Sequence, residues 1–379
     1  MKILFLGSKE FPYGSAKGFD KNLGGGTSKY VQNLIYSLIM EGHSCTIITR
    51  KFNKNKDYEK HPNLTIFRVR HFSSNILRLI SFNIFSFLKA FKIIARKPFD
   101  IIHSHGAFAS FFGLFLSKFF QIPSVSTPHG LYDSAKSNRI LNYTLKLREI
   151  IGYQNTDAII FLNENEKLKF KSRFSFSDKQ VAVIDSGIVL PPVGIQRKLD
   201  DKRFTVTFIG RLVEVKNVSS IIDSLNFLPK NIKRKVYLEI VGDGYLFDDI
   251  LLKAKNSILK NQIKLFGFDQ NVQKYYLRSS LFILPSNNEG FPISLLEAMS
   301  YGVPCLINDF GVPFNRSLLH IMPNSNPKTI AFFIEKIFND LDNVNEKAAK
   351  AKLLVHSQYS FSRVSKKHIT LYNSLLQNG

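Results

Sequence analysis

The feature that most constrains the fold is a pattern that occurs twice along the chain: a short apolar strand, a loop of glycine or polar residues, then a helical segment. The predicted strands of the first occurrence are KILFLG (residues 2–7), CTIIT (45–49), LTIFRV (64–69), DIIHSH (100–105), SVSTPH (124–129) and AIIFLN (158–163). A helix is predicted over residues 27–41, where Val31, Leu34 and Leu38 share one face. Near-continuous apolar strands separated by helices are typical of a parallel sheet with both faces covered.

The pattern pauses at residues 187–203, where Pro191 and Pro192 precede a charged run that suits a linker. It restarts with predicted strands FTVTFIG (204–210), VYLEIVG (236–242), IKLFG (263–267), LFILPS (281–286) and PCLIN (304–308), and a helix over 218–227. A chain of 379 residues is too long for one ordinary core. The sequence therefore predicts an α/β protein with two Rossmann-like domains in tandem, over residues 1–190 and 200–361, each with a parallel sheet.

Cysteine content and hydropathy indicate the compartment. Two cysteines, Cys45 and Cys305, lie far apart in sequence, which is no disulfide framework and favours a reducing cytoplasm. An apolar run of only four residues before Gly7 suits a buried first strand rather than a signal peptide. Segments 76–95 and 106–122 are apolar, but basic residues interrupt both, so neither offers the ~20 apolar residues of a membrane span.

The chain is strongly basic, with a formal net charge of +23, and residues 71–120 hold twelve phenylalanines and six basic residues against one acid, Asp100. Such a stretch suits an anionic membrane or a nucleic acid, or is a solvated basic face over a Phe-rich core. If residues 76–95 are helical, their apolar stripe consists of Leu77, Ile80, Ile84, Phe87, Leu88 and Phe91. We expect this stripe either to lie in the headgroup plane of a membrane or to pack inside the domain.

Polar residues follow several predicted strands, where ligands of open parallel sheets bind. Three glycines at residues 24–26 precede the first helix, and glycines there let phosphate oxygens approach backbone N–H groups at the positive end of the helix dipole. Arg211 and Lys216 follow the strand at 204–210 and would supply the charge that a diphosphate needs. Each signal is weak alone, and together they favour an anion site.

Two carboxylates, Glu289 and Glu297, stand eight residues apart in the segment NNEGFPISLLEAMSYGVP. The residues 290–292 are predicted to form a turn that exposes N–H groups at a helix start near Ile293 and Ser294. Glu289 precedes that turn and cannot share a helix face with Glu297, so the two would meet one ligand at separate points. Carboxylate pairs suit vicinal hydroxyls, as on a sugar ring and a ribose. Alternatively, both residues have only structural roles: Glu297 is buried and hydrogen-bonded to the loop, and Glu289 interacts with the helix dipole.

These segments resemble the retaining nucleotide-sugar glycosyltransferases of the GT4 class (glycosyltransferase group 1), which have the GT-B fold. The matching segments are NEGFPISLLEAM with its E-x7-E pair, FIGRLVEVKN, GGGTSKYVQNLIYSLIMEGH, STPHG, IVGDGYL, GFDQNVQKYY and the closing YSFSRVSKKHITLY. The resemblance covers nearly the whole chain and is most specific over residues 205–304. It implies an active site in the inter-domain cleft, an acceptor-binding N-terminal domain, a donor-binding C-terminal domain, and a last helix (362–379) that crosses back onto the N-terminal domain.

The resemblance also implies roles for single residues. Arg211 and Lys216 should bind the donor diphosphate, Glu289 the hydroxyls of the donor sugar and Glu297 the ribose, and His129 should lie beside the donor sugar. The predicted catalytic residues are His129, Glu289, Arg211 and Lys216, and the predicted donor-binding residues are Gly25, Gly26, Arg211, Lys216, Gly267, Phe268, Glu289, Gly290, Phe291, Pro292, Ile293, Ser294 and Glu297.

Within that set, the amide of Gly26 should approach the diphosphate, and the turn at Gly267 and Phe268 should line the base pocket. No cluster of Asp and His in the sequence suggests a metal site, and the family likeness implies that Arg211 and Lys216 replace Mg²⁺, so we expect no cofactor and no metal. The chain departs from the family after INDFG, where VPFNRSLLHIMPNSNP replaces the usual glycine/glutamate stretch. That segment closes the sugar end of the donor site, so the donor sugar is left open.

The expected function is transfer of a sugar, with retention, from a nucleotide-diphosphate sugar to a glycan or lipid-linked acceptor, in cell-surface polysaccharide synthesis of the O-antigen or capsule type. The expected place is the cytoplasm, peripheral on the inner face of the membrane. The alternatives are another GT-B enzyme, such as a sugar-nucleotide epimerase, and a basic nucleic-acid-binding protein. Nucleic acid is not expected, because the phenylalanines follow buried helical spacing. An NAD-dependent oxidoreductase is disfavoured, because no G-x-G-x-x-G follows a strand.

Overall fold

The computed structural model describes residues 1–12, 25–52, 55–72, 75–129, 151–172, 181–289, 292–312 and 315–377. The chain forms two compact units: Met1–Gly187 together with Phe361–Gly379, and Ile188–Ser360. Each unit has its own sheet and its own apolar core. Among the described residues, no helix has both the length and the apolar character to cross a membrane.

The first unit is built on an eight-stranded sheet with the order β3-β4-β2-β1-β5-β6-β7-β8. Its strands are β1 Lys2–Leu6, β2 Ser44–Arg50, β3 Tyr58–His61, β4 Leu64–Val69, β5 Ile101–His105, β6 Ser124–Thr127, β7 Ala158–Phe161 and β8 Val181–Val183. Only β3 runs antiparallel to its neighbour β4, and the other pairs are parallel. Every residue of β5, β6 and β7 is buried, as expected for parallel strands with both faces covered.

Helices cover this sheet and supply the apolar stripes that its faces need. They include α1 Gly25–Met40, α2 Asn75–Ile94, α3 Ala107–Phe120, α4 Glu164–Lys171 and α12 Phe361–Gln377. The helix α4 begins at Asn163, whose side chain accepts a hydrogen bond from the Glu166 amide, a normal helix cap. The last helix, α12, belongs to this unit and packs against α1.

The second unit is built on a six-stranded, wholly parallel sheet with the order β11-β10-β9-β12-β13-β14. Its strands are β9 Phe204–Ile209, β10 Val236–Val241, β11 Ile263–Leu265, β12 Leu281–Leu284, β13 Cys305–Asn308 and β14 His320–Met322. Its helices are α5 Val218–Ser224, α6 Lys230–Lys233, α7 Phe247–Asn256, α8 Gln273–Arg278, α9 Ile293–Ser300, α10 Pro327–Asn339 and α11 Leu341–Gln358. The two parallel α/β sheets in tandem confirm the predicted fold class.

The face of α2 differs from the predicted single stripe. Leu77, Ile80, Ile84 and Leu88 are 40–54% exposed, whereas Phe87 and Phe91 are partly buried against the core of the first unit. The six residues therefore do not share one environment. The helix turns Phe87 and Phe91 toward α3, where Phe87 meets Phe112 with ring centroids 5.4 Å apart. An apolar row remains on the outside of the unit.

Candidate active site

Three glycines meet at the carboxyl ends of β9, β10 and β11. The amide of Gly242 donates to the carbonyl of Gly267 over 2.7 Å. A Cβ on Gly242 would lie 1.8 Å from the Gly210 carbonyl oxygen, and its φ of +139° is one that L side chains rarely adopt. Only glycine fits, and this close approach aligns the loops that carry Arg211 and Phe268.

Lys216 and Glu289 come together from the loops that follow the neighbouring strands β9 and β12. Lys216 ends the 3-10 turn Glu214–Lys216, and its ammonium forms an ion pair with Glu289 Oε1. The side chains are only 13% and 10% exposed, so each charge depends on the other for solvation. The structure thus supplies Glu289 with a charge partner that its own segment lacks, and places a cation beside a carboxylate at the sheet edge.

Hydrogen bonds between loops fix the position of this pair. The amide of Asn287 donates to the Val215 carbonyl over 2.9 Å, which ties the two loops together one and two residues from the charged side chains. Asn217 has a φ of +48°, and its Nδ2 donates to the carbonyl and the hydroxyl oxygens of Ser325 at 3.1 and 2.9 Å. The Ser325 hydroxyl donates in turn to Asn287 Oδ1 over 3.3 Å. The site is therefore held by a polar network of three segments.

Glu297 lies on α9 and is held by a buried tyrosine. The Tyr276 hydroxyl lies 3.0 Å from Glu297 Oε2 and 3.2 Å from the Ser294 carbonyl oxygen. Burial, and next the charge of Glu297, hold the pKa of Tyr276 well above its usual range, so the phenol remains a neutral donor. Glu297 is partly buried. Its carboxylate is oriented from the helix rather than from the loop that carries Glu289, as the spacing predicted.

The other predicted donor-binding residues of this unit lie at the same strand ends. Arg211 directly follows Gly210 and is exposed, and Phe268 follows Gly267 and is 45% exposed. Pro292 precedes α9, and Ile293 and Ser294 are its first residues. The predicted residues Gly290 and Phe291 lie outside the described part of the chain.

In the first unit, the glycine loop is shorter than predicted. The helix α1 begins at Gly25, not at residue 27, so Gly25 and Gly26 are its first two residues. Gly26 is exposed. The amides of a first helical turn have no partner within the helix, and the helix dipole makes this end positive. The predicted glycines therefore stand where backbone N–H groups can face an anion.

His129, the remaining predicted residue, belongs to a buried cluster in the first unit. It follows β6 with a φ of +60°, and its Nε2 lies 2.9 Å from His105 Nδ1. The ring of Tyr30, on α1, packs edge-on against it with centroids 5.2 Å apart. The Tyr30 hydroxyl bonds His368 Nε2 on α12 at 3.1 Å. His103, on β5, lies 4.3 Å from the His105 ring.

Burial keeps these histidines neutral. It lowers the pKa of His129 to about 3 and that of His368 to about 4. The pKa values of His103 and His105 are held well below the usual range, first by burial and then by neighbouring histidines. A neutral imidazole offers one N–H donor and one acceptor nitrogen, so His129 can donate or accept a hydrogen bond but does not carry charge here.

Several residues of this arrangement were not predicted from the sequence: Tyr276, Asn217 and Ser325 in the second unit, and Tyr30 and His368 in the first. Their partners are remote in sequence, and although Tyr30, Asn217, Tyr276 and His368 lie in segments that resemble the family, the sequence assigned them no role. His103 and His105 lie on β5, and His105 contacts the predicted site residue His129. Within the described ranges, no group of three or more His, Cys, Asp or Glu is arranged to hold a metal ion.

Two family models match this chain in succession. Residues 24–190 match Glycosyltransferase Family 4, and residues 195–351 match Glycosyl transferases group 1. The chain is similar to the Escherichia coli UDP-Gal:alpha-D-GlcNAc-diphosphoundecaprenol alpha-1,3-galactosyltransferase, with 27% identity over 239 residues that cover 59% of this chain and 61% of that protein. It is also 24% identical over 387 residues to an uncharacterized glycosyltransferase of Methanocaldococcus jannaschii, covering 93% of this chain and 95% of that one.

Solved structures show the same fold over the whole length. Sucrose-phosphate synthase from Thermosynechococcus elongatus superposes with a TM-score of 0.81 at 18% identity, covering 100% of both chains. The Anabaena protein HepE in complex with UDP-glucose superposes with a TM-score of 0.75 at 15% identity, covering 99% of this chain and 100% of that one. At such identities the likeness concerns the fold.

The two families together span both units, and the relatives named above are sugar transferases. The epimerase and the nucleic-acid-binding protein are therefore set aside in favour of a transferase. The chain belongs to the glycosyltransferases of group 1 and family 4, and it is an enzyme with the GT-B fold of two Rossmann-like α/β domains in tandem.

Proposed function

We propose that this glycosyltransferase takes a sugar from a nucleotide-diphosphate sugar and that its donor site lies at the strand ends of the second unit. The observation that carries the proposal is the pairing of Lys216 with Glu289. If a ligand places a phosphate beside the Lys216 ammonium, the ligand groups next to that phosphate lie near the Glu289 carboxylate. In a nucleotide sugar those groups are sugar hydroxyls, and a carboxylate accepts hydrogen bonds from hydroxyls.

The roles proposed for single residues are those that the family resemblance implies. Negative charge develops on the β-phosphate as the sugar leaves, and Arg211 and Lys216 stabilise it electrostatically together with the first-turn amide of Gly26. Glu289 binds hydroxyls of the donor sugar. Glu297 binds the ribose with an acceptor oxygen whose position the Tyr276 hydroxyl fixes.

The base is proposed to lie against the turn at Gly267 and Phe268, where an exposed aromatic ring offers a stacking surface. His129 is proposed to lie beside the donor sugar. The site as proposed needs no metal, because two cationic side chains are available for the diphosphate. Retention of the anomeric configuration is part of the proposal and rests on the family.

The proposed acceptor is a glycan or a lipid-linked sugar, bound by the first unit. The Escherichia coli relative is named for an acceptor on diphosphoundecaprenol, and transfer to such a lipid would belong to cell-surface polysaccharide synthesis. A lipid-linked acceptor requires the enzyme to work at a membrane surface. We therefore propose peripheral attachment at the cytoplasmic face.

The helix α2 supports this attachment. Its exposed row of Leu77, Ile80, Ile84 and Leu88 has the three- and four-residue spacing of one helix face. Beside it opens a groove of about 310 Å³ lined by Val69, Arg70, Phe85, Leu88, Lys89 and Lys92. An apolar row with cations along its side suits a helix lying in the headgroup plane of an anionic membrane.

A thermal-shift panel tests the donor proposal. A ligand that binds only the folded protein raises its melting temperature by mass action. We expect one or more nucleotide-diphosphate sugars, and the matching nucleoside diphosphate, to raise the melting temperature of the wild type. The Arg211→Ala variant should lose most of the shift, whereas Lys230→Ala, which removes an exposed lysine of the same unit, should keep it. A panel in which no nucleotide shifts the wild type would contradict the proposal.

A further inference from the structure

The hydrogen bonds of the buried histidine cluster (His103, His105, His129 and His368, with Tyr30 and Tyr372) determine which nitrogen of His129 carries a hydrogen. Hydrogens are assigned from the bonding network, because each neutral imidazole has one donor nitrogen and one acceptor nitrogen.

At His368, the Nδ1 atom lies 2.8 Å from the Val364 carbonyl oxygen. A carbonyl only accepts, so Nδ1 carries the hydrogen. Because His368 is neutral, its Nε2 is an acceptor, and the Tyr30 hydroxyl must donate to it over their 3.1 Å. The helix α12 thereby fixes the orientation of Tyr30, whose ring in turn makes a T-shaped contact with the ring of His129.

At His105, the Nε2 atom is buried and has no hydrogen-bond partner among the described residues. A buried N–H without an acceptor is rarer in proteins than an unpaired lone pair and leaves a donor desolvated. The hydrogen of the neutral His105 ring therefore belongs on Nδ1, which faces His129 Nε2 at 2.9 Å. The ring of Phe5, stacked on His105 with planes 9° apart, holds the imidazole in this orientation.

We infer that His105 donates from Nδ1 to His129 Nε2 and so fixes His129 as the tautomer with its hydrogen on Nδ1. His129 then offers a hydrogen-bond donor, not a base, on its remaining nitrogen. Its ligand is an oxygen atom of the bound donor, on the sugar or the phosphate. His105, Tyr30 and His368 are positioning residues that act through His129. The ligand part of this inference rests on the proposed donor site, and the tautomer part does not.

The tautomer is tested on the wild-type full chain without any ligand. The protein is labelled with ¹⁵N-histidine. A long-range ¹H–¹⁵N correlation spectrum, which links each ring nitrogen to carbon-bound ring protons, distinguishes protonated from unprotonated ring nitrogens. The His129 signals are identified by their loss in His129→Gln. We expect a protonated Nδ1 and an unprotonated Nε2 at His129. A protonated Nε2 at His129 would overturn the inference whatever the activity.

Substitutions at His105 separate positioning from packing. In His105→Asn the amide nitrogen stands near the former Nδ1 and can still donate, whereas His105→Phe keeps a ring but removes the donor. We expect His105→Phe to lower kcat by about tenfold, the effect of one lost hydrogen bond, with the nucleoside diphosphate dissociation constant unchanged, and His105→Asn to recover most of the loss. Equal activity of Asn and Phe variants would contradict the positioning role.

The outcomes also separate this inference from the proposed donor site. If no nucleotide binds the wild type while the spectrum shows hydrogen on Nδ1, the proposed function fails and the tautomer assignment stands. If nucleotides bind and the spectrum shows hydrogen on Nε2, the donor site stands and the inference fails. Should His105→Phe fail to fold, the wild-type spectrum and the Asn variant decide alone.

Discussion

The ammonium of Lys216 is paired with Glu289 Oε1, although the two residues are 73 positions apart, and both side chains are nearly buried. This pairing makes the two residues interdependent. Removing the lysine leaves a carboxylate that is 10% exposed without its counter-charge, which is costly for any buried ionised group. Arg211 lies in the same loop after β9 as Lys216 but is exposed. Substitution of Arg211 and of Lys216 should therefore have different effects on stability.

We predict that Arg211→Ala and Lys216→Ala each remove about 2–4 kcal/mol of transition-state stabilisation, the usual effect of losing one electrostatic contact to developing charge. The measurement is kcat/KM with the donor that the thermal-shift panel identifies. Lys216→Ala should in addition lower the free energy of unfolding by about 1–3 kcal/mol, whereas Arg211→Ala should leave it unchanged.

The double variant Lys216→Ala/Glu289→Gln is the control for the stability effect. It removes the unpaired negative charge of Glu289 and should regain most of the lost unfolding free energy without regaining activity. Near-wild-type kcat/KM in both single variants would show that neither cation contacts the diphosphate.

A second prediction separates the two carboxylates. Glu289→Gln should lower kcat, because this residue is placed at the donor sugar, and Glu297→Gln should mainly weaken binding of the free nucleoside diphosphate, because the ribose lies away from the reacting centre. Both variants keep the shape of the side chain, and in Glu297→Gln the amide oxygen still accepts from Tyr276. Calorimetric titration with the nucleoside diphosphate measures the difference, and equal affinity in both variants and the wild type would reject the ribose role.

A third prediction concerns metal ions. If Arg211 and Lys216 neutralise the diphosphate, activity should persist in EDTA, with kcat within about twofold of the untreated enzyme, a change below the 1.4 kcal/mol that corresponds to a factor of ten. The measurement is initial rate before and after chelation, followed by addition of Mg²⁺ or Mn²⁺. Activity that disappears in EDTA and returns with either ion would contradict a metal-free site.

A fourth prediction follows from the buried neutral histidines. The folded-state pKa values of His129 and His368, about 3 and about 4, lie below the ordinary value of 6.5, so in this range the unfolded chain binds protons that the folded chain does not. Stability is therefore highest above pH 6.5 and falls as the pH drops toward 4. Each such histidine removes up to about 1.4 kcal/mol of unfolding free energy per pH unit.

Urea unfolding at pH 7.5, 6 and 5 measures this dependence. His368→Gln keeps an acceptor for Tyr30 but cannot titrate, so its unfolding free energy should fall less steeply between pH 6.5 and 5. His61→Gln, at an exposed position of β3, is the matched control and should follow the wild type. A wild-type stability that is flat between pH 7.5 and 5 would show that these histidines are not neutral when buried.

A fifth prediction concerns the membrane. We expect the protein to sediment with vesicles of anionic phosphatidylglycerol but not of neutral phosphatidylcholine, and less so as salt rises, because each basic residue near an anionic surface contributes about 1 kcal/mol. Arg70→Gln/Lys89→Gln/Lys92→Gln should abolish binding. Leu77→Gln/Ile84→Gln should weaken it while leaving the charge unchanged.

The matched control is Lys230→Gln/Lys255→Gln/Lys264→Gln, which removes the same three charges from exposed positions of the second unit. It should sediment like the wild type. If both triple variants lose binding equally, net charge rather than the face of α2 determines attachment. Equal recovery of the wild type in the supernatant with either lipid would reject membrane attachment.

Local patterns in the sequence determined the parallel sheets. The buried runs at β5 and β9 and the helical face of α1 depend on the spacing of apolar residues along neighbouring positions, which is visible in a single segment. Residues that follow strands were also predictable as a class, because the carboxyl ends of parallel strands lie on one edge. Arg211, Lys216 and Glu289 were predicted in this way.

Which side chains contact each other could be seen only in the tertiary structure. That Glu289 pairs with Lys216 follows from β9 and β12 being adjacent in the sheet, although β10 and β11 lie between them in the sequence. The short strands β3, β8 and β14 were also missed, because each has only three or four residues and depends on its pairing with a neighbouring strand rather than on an apolar pattern of its own.

The sequence by itself determined the fold class, the family resemblance and the strand-end position of most site residues, because these depend on periodicity and on short motifs. Only the tertiary structure decided that His105 contacts His129, that Tyr276 orients Glu297, and that α2 turns Leu77 outward and Phe87 inward. Those contacts join elements that are brought together by folding. Burial sets the protonation of the histidines, and it exists only once the chain has packed.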